Sequence, residues 1–98
     1  MDKKSIEFEN SIYKSYVDRC SKEQKKEPID RKEFDNVLDY VKKYLVTSKQ
    51  ISNEPYIDIY LDKYFILHAA IEKETVIMNV WSSIEYIHLT GRTLDVIH

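Results

Sequence analysis

Glycine, proline and cysteine are scarce in this sequence of 98 residues, which has one glycine, two prolines and one cysteine. The single cysteine, Cys20, excludes an internal disulfide and a cysteine-based zinc knuckle, so the chain fits a reducing compartment. One glycine is too few for a phosphate-binding glycine loop or a glycine-flanked nucleophilic serine. The Asn-Gly and Asp-Gly pairs that close many β-hairpins are also absent. Their absence favours helices over a sheet.

A surplus of either charge is lacking as well. Fifteen basic and 17 acidic residues give a formal net charge of −2, whereas nucleic-acid-binding proteins usually carry a basic surplus. The sequence opens with no signal-peptide pattern and contains no run of about 20 apolar residues, so we expect a cytoplasmic protein outside the membrane. Ile, Lys and Tyr are abundant and Ala is nearly absent, a composition typical of AT-rich genomes. It suggests a bacterial, phage or viral source, with the protein encoded by a phage or another mobile element.

The first half of the chain predicts two amphipathic helices. The first runs from about residue 5 to residue 26, with its apolar residues at helical spacing. The second starts at Asp30, an N-cap candidate that is followed three residues later by Glu33 in a capping-box arrangement. It should end near Ser48–Gln50. Its apolar face consists of Phe34, Val37, Leu38, Val41, Tyr44 and Leu45.

Residues 56–73 fit either a helix or two strands. Ser52 or Asn53 could cap a helix that has Pro55 in its first turn, and the residues that follow leave a broad apolar face. As strands, residues 56–61 alternate well and residues 65–71 could be a buried partner, but Asp62-Lys63 is a poor tight-turn pair. The helix is therefore favoured.

Residues 75–91 predict another amphipathic helix. Val76-Ile77-Met78 is an unbroken apolar run rather than the alternation of a half-buried strand. Gly91 stands where a helix C-terminus needs a residue that tolerates positive φ. The apolar tail 92–98 is expected to pack back on the protein or to form a short helical turn. The predicted apolar arc consists of Val76, Ile77, Val80, Trp81, Ile84, Ile87 and His88.

Together these segments predict one domain over residues 1–98, folded as a compact all-α bundle of about four helices. The alternative is an α+β fold with two helices packed on a three-stranded antiparallel meander. In both folds the second half of the chain has few charges, and a monomer of this size would struggle to bury all of its apolar surface.

No residue pattern argues for catalysis, a metal or a cofactor. His68 and His88 lie on apolar faces, where a lone histidine is usually a hydrogen-bonded core or interface residue. Glu85-x-x-His88 has the spacing of di-iron bundles, but those sites need a second copy of the motif. Arg92 and His98 have a spacing found in ribonucleases of the HEPN helical-bundle family. However, the pair follows a glycine and ends on the last residue, so we claim no resemblance and keep ribonuclease activity as the third hypothesis.

Aromatic residues make up 12% of the chain and supply the best candidate for function. Tyr and Trp bury large areas at little entropic cost, and a tyrosine stripe spaced by four would form one face of a helix. The sequence therefore predicts a non-enzymatic protein-interaction module, an inhibitor, adaptor or antitoxin-like regulator that covers a partner protein or a second copy of itself. The predicted partner-binding residues are Tyr56, Tyr60, Tyr64, Met78, Tyr86 and Leu89.

The second hypothesis is a small nucleic-acid-binding regulator. It requires the basic residues of the first half to gather on one surface, where they could neutralise phosphates. These residues are Lys22, Lys25, Lys26, Arg31, Lys32, Lys42 and Lys43.

Overall fold

The computed structural model describes residues 3–92, without the side chain of Lys4. In this part of the chain the predicted all-α bundle is wrong, because the second half forms a three-stranded antiparallel sheet in the order β1-β2-β3. The fold is α+β, the class left as the alternative, with one helix more than that alternative had. The elements are α1 (Lys3–Arg19), which continues as a π-helical turn (Cys20–Gln24), α2 (Arg31–Lys49), β1 (Tyr56–Tyr60), β2 (Phe65–Glu72), β3 (Thr75–Ser82) and α3 (Ser83–Thr90).

The two helices of the first half form where their sequence signals predict. The side chain of Asp30 accepts a hydrogen bond from the Glu33 backbone N–H at 2.9 Å, so the predicted N-cap of α2 is confirmed. The first helix widens into the π-helical turn after Arg19, and Lys25, in the left-handed region at φ 49°, ends it. No helix in residues 3–92 is long and apolar enough to cross a bilayer.

Two turns without glycine make a hairpin of the segment predicted to be helical. After β1, the Asp62 carboxylate accepts hydrogen bonds from the backbone N–H groups of Tyr64 at 2.7 Å and Phe65 at 3.0 Å, which closes the turn with a side chain. After β2, Lys73 and Glu74 both adopt positive φ, at 50° and 68°, as a two-residue type I′ turn requires. Such turns usually contain Asn or Gly. This turn contains neither, so it could not be recognised from its residues.

The helix predicted over 75–91 is also wrong over its first half, which is β3. The helix starts only after Ser82, where a capping box fixes its first turn. The Ser82 Oγ accepts from the Glu85 N–H at 3.1 Å, and the Glu85 carboxylate accepts from the Ser82 N–H at 2.8 Å. Gly91 ends α3 at φ 69°, so the predicted role of this glycine is confirmed.

Helices α1 and α2 cover one face of the sheet and form the main core with it. Strand β2 lies between β1 and β3 and is buried on both faces, which explains why its apolar residues run on without alternation. The other face carries α3. The largest of the completely or almost completely buried side chains are Tyr16, Cys20, Phe34, Leu38, Val41, Leu45, Phe65, Ile66 and Leu67.

Candidate functional site

The sheet face that α1 and α2 leave uncovered, called the second face here, gathers most of the chemistry of the described residues. The strand register places Asp58 beside His68 and His68 beside Asn79, and side chains of paired residues point to the same side. Trp81 follows two residues after Asn79 and shares that side. Helix α3 returns over this face and buries Tyr86 against it.

Asp58 is the centre of the second face. Its side chain is only 4% exposed, and three groups from separate parts of the chain surround its carboxylate. The His68 Nδ1 lies 2.5 Å from Oδ1, and the Tyr86 hydroxyl donates to Oδ2 at 2.9 Å. The Arg92 Nη2 lies 3.7 Å from the same Oδ2. The carboxylate therefore links β1 to β2, to the middle of α3 and to Arg92 just after the end of α3.

These contacts set the charge state of the cluster. Burial disfavours the ionised form of Asp58, but the hydrogen bonds from His68 and Tyr86, together with the charge of Arg92, outweigh it and hold the pKa of that carboxyl below its usual value. Burial and the hydrogen bond to Asp58 raise the pKa of Tyr86. At neutral pH the carboxylate is charged and the Tyr86 hydroxyl keeps the proton that it donates.

Aromatic rings surround this polar centre. The His68 imidazole stacks on Trp81, with 4.7 Å between ring centroids and 12° between planes. Trp81 in turn packs at 6.3 Å from the Tyr86 ring. The Arg92 guanidinium lies 5.0 Å from the centroid of the Tyr56 ring, and its Nη1 donates to the Tyr56 hydroxyl at 2.5 Å. The cluster is thus a packed aromatic layer around one compensated charge.

The two nitrogens of the His68 imidazole differ in their contacts. Nδ1 faces Asp58, while Nε2 has no partner among the described residues. Every buried side-chain nitrogen and oxygen in that part of the chain has a partner, so Nε2 must reach solvent. The contacts of this imidazole are structural: Nδ1 faces Asp58, and the ring stacks on Trp81. His68 is hydrogen-bonded, as predicted. In residues 3–92, no three His, Cys, Asp or Glu side chains gather to hold a metal ion.

Helix α3 presents its apolar side chains to solvent. Of its eight residues only Tyr86 is buried, whereas Ile84 is 70% exposed, Leu89 63% and Ile87 45%. We call Ile84, Ile87 and Leu89 the α3 patch. A helix of eight residues is unstable alone, so the contacts that hold it must come from its caps and from Tyr86.

The structure separates the predicted partner-binding residues. Tyr56 is exposed and meets Tyr86 around Asp58 and Arg92. Leu89 lies on α3 in the α3 patch. Tyr60 is half-buried in β1 and lies on the second face, because it is two residues from Asp58 in the same strand. The other two lie elsewhere: Tyr64 is exposed in the turn after β1, and Met78 is buried in the core beneath α1 and α2.

Sequence reasoning missed Asp58, Trp81 and most of the α3 patch. A signal was available for the first: Asp58 and His68 are equally distant from Lys63, so a hairpin whose turn is centred on Lys63 pairs them. The patch was missed because Ile84 and Ile87 were assigned to a buried arc. The real helix starts at Ser83 and turns both outward.

Several of the predicted nucleic-acid contacts are already paired with acidic side chains. Lys26 lies 3.0 Å from Asp62, Arg31 binds Asp35 at 2.8 Å, and Lys42 binds Glu9 at 3.0 Å. The acidic partners neutralise the positive charges that phosphate binding would require. Of the candidate ribonuclease pair, Arg92 is engaged with Tyr56 and Asp58, and His98 lies outside the described residues.

Comparison with known proteins returns no relative: no protein-family model, no curated protein and no solved structure matches this chain. Function therefore has to be argued from the chain's own surfaces. Two features of the second-face side of the molecule enter that argument, the compensated cluster around Asp58 and the exposed α3 patch.

Proposed function

We propose that this protein is a non-enzymatic protein-interaction module that binds a partner protein through the α3 patch and acts by covering the partner's surface. One observation carries the proposal: a short helix is held in place while most of its apolar side chains stay in water. Ile84 and Ile87 lie together on one side of α3, and Leu89 lies about 140° around the helix axis from Ile84. Neighbouring exposed apolar side chains, such as this isoleucine pair, are typical of an interface. An inhibitor or adaptor would work in this way without any chemistry of its own.

The contacts that hold α3 in place support this proposal. The capping box fixes its start, Gly91 ends it, and the Tyr86 hydroxyl anchors it to Asp58. Arg19 adds an ion pair with Glu85 in the first turn. Since the helix is already ordered, binding loses little conformational entropy, and more of the burial of the α3 patch contributes to affinity.

The chemistry of the patch indicates the form of the partner surface. Ile84 and Ile87 are three residues apart, so they project from adjacent turns on one side of the helix. This spacing suits a helix that lies in an apolar groove of another protein. A nucleic acid is a poor partner for such a surface, because phosphate contacts need basic residues and the patch has none.

The test compares three forms of the whole chain in capture from an extract of the native host, followed by mass spectrometry. The first is the unmodified chain, the second carries Ile84→Lys and Leu89→Lys, and the third carries Ile51→Lys. Ile51 is 91% exposed in the loop after α2, so it is a matched control for adding lysine at an exposed apolar site. We expect the same protein to be retained by the unmodified chain and the control, and lost from the α3 variant.

Light scattering over a dilution series identifies whether the partner is a second copy. A dimer that the α3 variant dissociates, and that Ile51→Lys leaves intact, would make the patch a self-association surface. The proposal fails if the α3 variant and the control bind the same proteins and have the same mass as the unmodified chain.

A further inference from the structure

A second surface lies at the free edge of β3, next to α1 and α2. In an antiparallel ladder, alternate residues direct their backbone groups toward one neighbour. Just past the end of β3, the Ser83 N–H donates to the Tyr64 carbonyl at 3.1 Å, so odd-numbered residues of this strand face β2. The Val80 carbonyl instead accepts from Arg19 Nη1 at 2.7 Å, so even-numbered residues face outward.

Hydrogen bonds on the other side of β2 agree with this assignment. The Phe65 carbonyl accepts from the Leu61 N–H at 2.9 Å, and the Ile71 N–H donates to the Pro55 carbonyl at 3.0 Å. Odd-numbered residues of β2 therefore face β1, which leaves its even-numbered residues for β3. The backbone N–H and C=O groups of Val76 and Met78 consequently point away from the sheet.

These outward groups are unpaired. In residues 3–92, no side chain or backbone group bonds the outward N–H or C=O of Val76 or Met78. At Val80 the guanidinium of Arg19 occupies the edge instead. The free part of the ladder is therefore short, and it begins directly after the β2–β3 turn.

An apolar groove lies beside this free edge. It has a volume of about 280 Å³ and is bounded by the start of α1, the middle of α2 and the start of β3. Met78 is buried at the groove, whereas Phe8 and Val76 are partly exposed to it. The residues that line it are Ser5, Phe8, Glu9, Lys42, Val76 and Met78.

The charges at the groove define what can enter it. Lys42 and Glu9 are the charged side chains of its lining, and their Nζ and Oε1 atoms lie 3.0 Å apart. Since they compensate each other, a charged ligand would find no counter-charge there. A neutral apolar side chain would need no counter-charge in the groove and would cover Phe8, Val76 and Met78.

We propose that the β3 edge at Val76 and Met78 binds an extended segment of a partner protein, which adds to the sheet as a fourth strand. The outward N–H and C=O groups would supply main-chain hydrogen bonds, and the groove would receive an apolar side chain of the added strand. Because Arg19 covers the edge at Val80, the added segment pairs with only a few residues. The proposal extends the proposed function by a second surface, separate from the α3 patch.

Selection of random twelve-residue peptides displayed on phage, against the immobilised whole chain, provides the probe. Val76→Pro removes the outward N–H at residue 76 but no hydrogen bond to β2, because that residue faces outward. Val76→Thr retains the N–H and the side-chain shape and is its matched control. Phe8→Lys changes an exposed side chain of α1 that lines the groove. It tests the groove if the proline variant folds poorly.

We expect enriched peptides with apolar residues at alternate positions. Their affinity should fall about tenfold on Val76→Pro and on Phe8→Lys and change little on Val76→Thr, because one lost hydrogen bond or the loss of the groove contact is worth about that factor. The variant with Ile84→Lys and Leu89→Lys should bind them normally. Peptides that lose binding on that variant instead would support the α3 patch and overturn the β3 site. No enrichment, or equal affinity for Val76→Pro, Phe8→Lys and the unmodified chain, would also overturn it.

Discussion

Two acidic side chains hold the polar interior of this small protein together, each with a tyrosine as its donor. Asp58 receives the Tyr86 hydroxyl and so anchors α3 to the sheet. Asp62 receives the hydroxyl of the buried Tyr16 at 2.5 Å, and that hydroxyl also accepts from the Ile29 N–H at 2.9 Å. The pair of Asp58 and Tyr86 fixes α3 on the second face. The pair of Asp62 and Tyr16 ties the turn after β1 to α1 and to the segment that leads into α2.

Replacing Asp58 by Asn tests the charge at the first of these sites. Because the pKa of Asp58 is lower in the folded chain than in the unfolded chain, its stabilisation is present at neutral pH and is lost as the pH falls from about 4 through the folded value. We expect Asp58→Asn to reduce the free energy of unfolding by about 2 kcal/mol at pH 7, and by clearly less at pH 3. Urea unfolding at both pH values measures this difference.

The control for that experiment is Asp35→Asn, which removes a carboxylate from an exposed pair with Arg31. Exposed pairs of this kind contribute less than about 1 kcal/mol, so little change is expected at either pH. An equal loss for Asp58→Asn at pH 7 and pH 3 would show that shape, and not charge, makes Asp58 important.

At the scale of elements, the four described residues with positive φ decide where strands and helices end. Lys25 ends the π-helical turn. Lys73 and Glu74 form the turn between β2 and β3, and Gly91 terminates α3. Only Gly91 is a residue that adopts this conformation without strain. The hairpin therefore forms against the preference of its own turn residues, because the pairing of two apolar strands outweighs it.

Relief of this strain should be measurable. Asn tolerates the left-handed region better than Lys, so we expect Lys73→Asn to raise the free energy of unfolding by about 0.5 kcal/mol.

The substitution Gly91→Ala should lower the free energy of unfolding by about 1 kcal/mol. A Cβ at Gly91 meets no atom within 4 Å, so that loss would come from the backbone alone. Thermal or urea unfolding of both variants tests the pair, and a stabilising Gly91→Ala would contradict the assigned backbone conformation.

At the scale of the whole molecule, the two faces of the sheet are unequally covered. Two long helices pack on one face and one short helix on the other, so the sheet is held mainly from one side. Strand β2 is paired on both sides and buried on both faces. Helix α3 depends on its caps and on Tyr86. Stability should therefore be uneven along the chain.

Hydrogen exchange measures that unevenness. We expect the amides of β2 to exchange most slowly, close to the rate set by global unfolding, and those of α3 to exchange at least about tenfold faster through local opening. Tyr86→Phe removes the hydroxyl that binds Asp58 and should accelerate exchange in α3 more than in β2. Equal protection of β2 and α3 would mean that α3 unfolds only with the whole domain.

The parts of this fold that were predictable are those with local signals. Helix α2 has a capping residue, a regular apolar face and a charged outer face, and these agree with one another. Strand β2 has no such signal, because burial on both faces removes the alternation that marks a strand. The turn at Lys73 and Glu74 likewise has none of the usual turn residues.

One local signal was overlooked. Ser82 and Glu85 have the spacing of a capping box, which marks the start of a helix inside the stretch predicted to be one continuous helix. The cluster around Asp58 depends on strand register, so it could follow only from a correct hairpin. The α3 patch depends on which side of a short helix meets the sheet, and tertiary packing, more than periodicity, decides that.

The stacking of His68 on Trp81 gives this protein an optical probe of its own. Trp81 is the only tryptophan in the chain, and its indole lies on the second face between His68 and Tyr86. Its fluorescence therefore reports the environment of one defined place without any label. A partner that docks on α3 approaches this fluorophore, whereas a strand that adds at Val76 and Met78 binds beside the groove under the helices. We therefore expect binding at α3 to shift the emission spectrum of an unmodified sample more than strand addition at Val76 and Met78 does.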